Sequence, residues 1–314
     1  MGVPSGQNKN KYKQMKIQFR NIYNILKKAL TKWWVKDPFR ESAIIAYYAI
    51  FALPGLLVVI ITSAGYFFGN EAVNNHITAQ FTSTMGVDTA DQIQNIILQA
   101  SEAKNSVWAT IIGIIIMIVG ATTVFAQFQK SLNTIWEVKP DESKYGIWSF
   151  VKIRLFSFGL IVTIAFLLIV SLVISALLSA FGNWLSGNFS ETFFVTLQVV
   201  NIVLSFIILT VLFALMFKFL PDAKIKWKNV WIGSIVTAFL FEIGKFGLGL
   251  YFGKLNPGDG YGAAGSIILI MLWVSYSSMI VFFGAEFTRA YANFISGKVV
   301  PKENAKSDIH LDSN

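Results

Sequence analysis

Long apolar stretches, separated by short polar ones, run along most of the chain. Six of them reach the length of about 20 residues with which a helix crosses about 30 Å of hydrocarbon. The pattern therefore predicts an all-α fold, a polytopic membrane bundle of six transmembrane helices over residues 44–295. The predicted spans are residues 44–69, 108–128, 155–181, 193–217, 230–252 and 263–287.

The chain before the first predicted span mixes basic and apolar residues at helical spacing. Residues 13–43 are predicted to form a basic amphipathic helix on the anionic inner leaflet, because lysines attract lipid phosphates while apolar side chains enter the interface. An anchor for the bundle is the main interpretation, and gating or lipid sensing is the alternative. The polar residues 1–12 and 296–314 are predicted to be disordered tails. No cleavable signal peptide is expected, since no apolar core precedes the first span.

Positive charge is distributed unevenly among the connections between the predicted spans. Most of the 26 Lys and Arg residues lie before the first span, in the second and fourth connections, and after the last span. The first, third and fifth connections hold only Lys104 and Lys254. Because cytoplasmic loops are enriched in Lys and Arg, both termini are predicted to be cytoplasmic.

The composition argues against a soluble enzyme. Hydrophobic residues make up 54% of the chain and charged residues only 14%, against about 25% charged residues in soluble domains. The absence of cysteine excludes disulfides and thiolate metal sites, and two histidines, His76 and His310, leave little for imidazole ligation. No catalytic residue, metal or cofactor is predicted, and the chain is not expected to be an enzyme. No nucleic-acid partner is expected either, because the topology accounts for the net charge of +9.

Two ionisable residues, Glu242 and Lys245, fall in the middle of the fifth predicted span. Their spacing of three places them on one helix face, in a seam with Ser234, Ala238 and Gly249. Charges in hydrocarbon cost several kcal/mol unless they are paired or hydrated, so this face is predicted to point into the bundle. One interpretation is a buried ion pair that holds helices together, and the other is a substrate or proton site at mid-depth.

Further polar residues lie within or beside the predicted spans. Glu286 falls near the inner surface, with Arg289 one turn further on as the partner of a rim salt bridge. Either the polar faces line a common cavity or they join helices by hydrogen bonds. Pro54 cannot donate a helical hydrogen bond, so the first span is predicted to kink or break there. The remaining candidates are Gln198 and Asn201 on the fourth span and Thr123 and Gln127 on the second.

Three groups of residues resemble the YihY/virulence factor BrkB family, once mislabelled ribonuclease BN. The resemblance implies a bacterial inner (plasma) membrane protein with six helices, and transport or lipid handling has been proposed for members. Pro54, Asn133 and Glu286 are motif positions to which the resemblance gives no role. The matching groups are Ala46-Tyr47-Tyr48 with Phe51, Leu53 and Pro54; Phe125 with Leu132-Asn133 and Ile135-Trp136; and Gly262, Gly265-Ser266, Leu272-Trp273, Tyr276 and Gly284-Ala285-Glu286.

The sequence favours a transporter or lipid translocase whose polar seam faces a cavity between helices. Its expected partners are lipids of the anionic inner leaflet and, as substrate, a lipid or a small solute. The alternative is a non-transporting membrane scaffold or assembly partner, in which buried polar groups serve helix packing alone. Ribonuclease activity is rejected, because Asp141, Glu142 and Asp222 are scattered acids without a metal-ligand cluster.

Overall fold

The structure is a computed structural model that describes residues 6–85, 90–91, 94–95, 107–141, 191–255 and 257–308. Most of these residues are helical, as the apolar pattern predicts. A 3₁₀ helix, Asp259–Ala264, precedes the last helix. The helices of this part of the chain are α1 (Gly6–Val35), α2 (Pro38–Phe68), α3 (Asn70–Met85), α4 (Val107–Trp136), α5 (Glu191–Phe219), α6 (Trp227–Leu255) and α7 (Gly265–Ser296).

Five of the six predicted spans coincide with long helices, namely α2, α4, α5, α6 and α7. The third predicted span, 155–181, lies outside the described residues. Among the residues that the structure describes, three helical segments are long and apolar enough to cross a membrane: Ile202–Phe219, Trp227–Leu255 and Ile267–Ser296. The structure is therefore a helical membrane bundle, while the count of six and the cytoplasmic termini stay predictions.

The boundary between the interfacial helix and the first span differs from the prediction. Residues 13–43 were expected to form one helix, but α1 ends at Val35 and α2 begins at Pro38. Asp37 adopts a left-handed backbone conformation with φ of 51°, which ends a helix. Proline is tolerated in the first turn of the next helix. The amino end differs as well, since α1 begins at Gly6 within the predicted tail 1–12.

Pro54 lies inside a helix that the structure assigns without interruption over Pro38–Phe68. The predicted break at this position is therefore wrong, and the predicted kink stays a prediction. A helix interrupted at mid-span is a feature of many transporter sites. The continuous helix α2 therefore gives no support of this kind for a transporter.

Short strands join the carboxyl-terminal segment to two connections at one end of the bundle. They are β1 (Val138–Pro140), β2 (Ala223–Lys224), β3 (Val300–Pro301) and β4 (Ala305–Ser307). β1 pairs antiparallel with β4, and β2 with β3. The predicted disorder of residues 296–314 is therefore wrong for this stretch, because its backbone groups are paired with the connections after α4 and α5.

Helices α6 and α7 approach each other closely through two matched Gly–Thr pairs. Thr237 donates a hydrogen bond to the Gly233 carbonyl at 2.7 Å, and Thr288 donates one to the Gly284 carbonyl at 2.6 Å. A Cβ at Gly233 would overlap Thr288 Oγ1, and a Cβ at Gly284 would overlap Thr237 Oγ1. The crossing therefore requires a glycine opposite each threonine, as small residues permit in membranes.

Candidate functional site

The charged pair of α6 lies at the edge of the face with which this helix packs. Lys245 Nζ is 3.1 Å from Glu242 Oε2, and the two side chains are 41% and 36% exposed. Phe246, next to Lys245, is strongly exposed, whereas Ser234 and Ala238 are buried. The first two residues of the predicted seam, Ser234 and Ala238, are therefore packed inside the bundle. Its charged residues lie on the flank of the helix. This departs from the expectation that they point inward.

A network of four charged side chains lies buried where α1, α4 and α7 meet. Lys36 Nζ is 2.5 Å from Glu286 Oε1 and donates to the Ile135 carbonyl at 2.9 Å. Arg289 is 3.7 Å from Glu286 and forms a second ion pair with Glu137. The side chains of Glu286 and Glu137 are 2% and 4% exposed, and those of Lys36 and Arg289 are 12% exposed.

The prediction for Glu286 captured only part of this network. Its spacing from Arg289 indicated a rim salt bridge, but the acid is buried and its shorter contact is with Lys36. Lys36 and Glu137 were missed as members. Lys36 reaches the network because α1 packs on α7 through Ile25 and Ala29, a contact that helical spacing within α7 cannot indicate.

Local conformation and burial set the properties of two members of the network. Glu137 follows the last residue of α4 with a φ of 54°, a left-handed position that ends the helix. Its carbonyl accepts a hydrogen bond from the Asp308 amide at 2.9 Å. Burial lowers the pKa of the Lys36 ammonium below its ordinary value, and the adjacent Glu286 carboxylate opposes that shift.

Polar residues of α4 stabilise two neighbouring segments. Asn133 donates to Asp222 Oδ2 at 2.8 Å, and its own Oδ1 accepts from the Asp222 amide at 2.7 Å. Gln127 and Ser131 both donate to Glu41 Oε2, at 3.1 and 2.7 Å. The motif position Asn133 and the candidate Gln127 thus hold the connection after α5 and the start of α2.

Among the side chains that the structure describes, the predicted polar candidates do not meet in one large cavity. Glu41, which accepts from Gln127, shares with Glu286 a cleft of about 20 Å³, room for about one water molecule. Asn133 faces Asp222 instead, and Thr123 is half-buried on α4. The side chains of Gln198, Asn201 and Pro54 lie outside the described residues.

A larger cleft of about 350 Å³ lies between α1 and the end of α7. Its walls carry lysines of α1 and residues of the last turns of α7, above the buried ion pairs. The residues that line this cleft are Lys28, Lys32, Glu137, Glu286, Arg289, Ala290, Asn293 and Lys298.

Within the described ranges, no group of three His, Asp or Glu side chains is placed to hold a metal ion.

Replacement of Asn133 by alanine is expected to lower the free energy of unfolding by about 1–2 kcal/mol, because Asp222 loses two buried hydrogen-bond partners in one side chain. Gln129, which donates to the same carboxylate at 3.3 Å, limits the loss. Thermal unfolding in detergent measures the effect. Thr134→Ala is the control, since Thr134 is exposed on the same helix and its hydroxyl donates to the Lys130 carbonyl of that helix. Equal melting temperatures for the two variants would contradict the assigned role.

Comparison with known proteins identifies the family. A family model described as virulence factor BrkB matches residues 29–308. The chain is 26% identical to a UPF0761 membrane protein of Saccharophagus degradans, over 81% of this chain and 56% of that protein. It is 27% identical to one of Pseudoalteromonas atlantica, over 80% of each chain. It is 31% identical to one of Cronobacter sakazakii, over 70% of this chain and 71% of the relative.

The extent of these matches shows what the chain shares with its relatives. It spans 56% and 59% of the lengths of the relatives from Saccharophagus degradans and Rhodospirillum centenum. No solved structure matches the chain. The matched residues include all three groups on which the resemblance in the sequence rests. Because the family model covers residues 29–308, the chain belongs to the BrkB virulence-factor family of bacterial membrane proteins.

Proposed function

We propose that the protein is a lipid translocase of the bacterial inner membrane, with six spans and both termini in the cytoplasm. Glu242 and Lys245 provide polar contacts for a lipid headgroup as it passes the centre of the bilayer. The observation that supports this proposal is the position of their ion pair, which lies halfway along an apolar helix and is partly exposed.

The depth of the pair follows from the length of α6. The helix has 29 residues and is therefore about 44 Å long. Glu242 and Lys245 lie about 22 and 27 Å from its first residue, which places both in its middle third. Charges at that depth cost several kcal/mol unless they are paired or hydrated. Their mutual pairing lowers this cost, and contact with the headgroup of a passing lipid is the function proposed for them.

The surroundings of the pair favour a lipid over a small solute. A small solute is normally bound in a pocket lined by converging polar groups, and neither of the two clefts described above includes Glu242 or Lys245. Phe239, Ile243 and Phe246 are exposed beside the pair. A polar contact on an apolar flank suits an amphiphile, because the headgroup meets the charges while the acyl chains stay in hydrocarbon.

A non-transporting scaffold is the second candidate. It is favoured by the buried ion pairs and by the paired strands that join the carboxyl-terminal segment to two connections at one end of the bundle. In a scaffold, the pair of Glu242 and Lys245 stabilises α6 and moves no lipid. The two candidates therefore differ in the flux of lipid that they predict. In both cases, removal of this partly exposed ion pair is expected to leave the fold intact.

Reconstitution into liposomes that carry a fluorescent phospholipid in both leaflets tests the proposal. A membrane-impermeant quencher measures the exchange of lipid between leaflets, with and without a proton gradient. Wild-type protein is expected to expose the inner-leaflet lipid, and Glu242→Gln and Lys245→Met are expected to slow exchange about tenfold, a change of about 1.4 kcal/mol in the barrier.

Lys254→Met is the matched control, since Lys254 is exposed in the last turn of the same helix. This variant loses the same charge but lies at the predicted outer surface, so its exchange rate is expected to equal that of the wild type. Wild-type protein that leaves the inner leaflet protected under both conditions would exclude translocation of this lipid and favour the scaffold.

A further inference from the structure

The cleft between α1 and the end of α7 is separate from the charged pair of α6. Its volume of about 350 Å³ lies within the range of about 300–1,000 Å³ for small-molecule sites. Lys28 and Lys32 line one side, from successive turns of α1, and Asn293 of α7 lines the other. Arg289 and Glu137 form part of the floor.

The charges of the floor balance one another. Glu286 is paired with Lys36 and Arg289, and Arg289 is also paired with Glu137. Two carboxylates therefore face two cationic groups in the interior of the protein. The lysines of the walls add positive charge above this neutral floor, so the cleft as a whole attracts anions.

The faces of α1 indicate which anions reach the cleft. Ile25 and Ala29 are buried against α7, and each residue turns the helix by about 100°. Leu26 therefore lies on one side of the packed face, in an exposed apolar stripe with Ile22 and Leu30. Lys28 and Lys32 lie on the other side of that face. A helix with this arrangement rests at the membrane interface, where its lysines meet lipid headgroups.

We propose that this cleft binds a phosphate-bearing anion, and that its occupant is the phosphate of an anionic lipid headgroup. Lys28 and Lys32, one turn apart on α1, donate charge-assisted hydrogen bonds to the phosphate oxygens. Within the described part of the chain, the buried Oε1 of Glu137 has no hydrogen-bond partner, and it accepts a hydrogen bond from a headgroup hydroxyl. Glycerol-phosphate headgroups carry both features. The inference does not depend on translocation, because binding requires neither Glu242 nor Lys245.

Binding to the purified full chain in detergent tests this inference, with short-chain phosphatidylglycerol, short-chain phosphatidylcholine and inorganic phosphate as probes. Phosphatidylglycerol is expected to bind more tightly than phosphatidylcholine. The double variant Lys28→Gln/Lys32→Gln is expected to bind it about thirtyfold more weakly, on the basis of the usual contribution of two lysines near an anionic lipid. Asn293→Phe, which narrows the cleft without changing its charge, is expected to weaken binding as well.

Matched variants separate the cleft from a general effect of charge. Lys27→Gln/Lys226→Gln removes two exposed lysines at the same end of the protein, and its binding is expected to stay within about twofold of the wild type. Glu242→Gln is expected to bind normally even if it abolishes exchange between leaflets. Equal losses in both double variants would overturn the site. Inorganic phosphate that displaces the lipid at equal concentration would overturn the lipid headgroup as occupant.

Discussion

Replacement of Glu286 by glutamine is expected to lower the free energy of unfolding by about 3 kcal/mol or more. The carboxylate is 2% exposed and has Lys36 and Arg289 as its charged partners. Its removal leaves two buried cationic groups with one carboxylate between them, and an uncompensated buried charge costs about 3–5 kcal/mol. Thermal and denaturant unfolding of the purified protein in detergent measures the loss. The yield of membrane-inserted protein is expected to fall with it.

Two matched variants show whether the cost comes from the lost pairing. Glu242→Gln makes the same chemical change on a side chain that is 36% exposed, and partly exposed pairs contribute about 1 kcal/mol or less. The double variant Lys36→Met/Glu286→Gln removes both members of the buried pair and is expected to be more stable than Glu286→Gln alone. If the double variant lost as much free energy of unfolding as Lys36→Met and Glu286→Gln lose together as single variants, the two side chains would not be coupled.

This result would bear on how the family motif is interpreted. Glu286 is a motif position, and an acidic residue at such a position invites a catalytic or transport role. The network gives it a structural role, because it joins α1, α7 and the end of α4 through ion pairs. A phenotype of Glu286→Gln that follows protein abundance fits this role, whereas Glu242→Gln is expected to change activity at normal abundance.

The helices that the structure describes were predictable because each long apolar stretch must satisfy its backbone internally in a membrane. The ends of these helices were less predictable than their positions. Helix α4 extends to Trp136 and α7 to Ser296, beyond predicted spans that end at residues 128 and 287. Hydropathy marks only the part of a helix that lies in hydrocarbon. The polar turns that continue it carry no such signal.

Contacts between distant segments were not predictable from local patterns. Residues near the carboxyl end are polar and were predicted to be disordered, yet Ser307 pairs with Val138 and Val300 with Lys224. The ion pair of Glu242 and Lys245 followed from spacing along one helix, but its place on the flank depends on which face of α6 packs. That face is set by Gly233 and Thr237, a small-residue spacing that is visible in the sequence and was overlooked.

Replacement of Gly284 by alanine is expected to lower the free energy of unfolding by about 2–3 kcal/mol, toward the upper end of the usual cost of overpacking. The added Cβ would overlap Thr237 Oγ1 and lie 2.8 Å from Thr237 Cβ. Thr237 cannot easily move aside, because its hydroxyl donates to the Gly233 carbonyl and its side chain is fully buried. Helices α6 and α7 must therefore separate, and the melting temperature in detergent reports the loss.

Gly247→Ala is the control, and its effect is expected to have the opposite sign. Gly247 lies on α6 with no atom within 4 Å of an added Cβ, so alanine there stabilises the helix by about 0.5–1 kcal/mol. Thr237→Ala in the Gly284→Ala background removes the overlapping oxygen and is expected to restore part of the stability. Equal destabilisation by both glycine variants would show that backbone freedom, and not close approach, explains these glycines. A loss of stability in Gly284→Ala but not in Gly247→Ala would establish the close contact between α6 and α7. That contact determines which face of α6 packs in the bundle, and therefore that Glu242 and Lys245 lie on its flank.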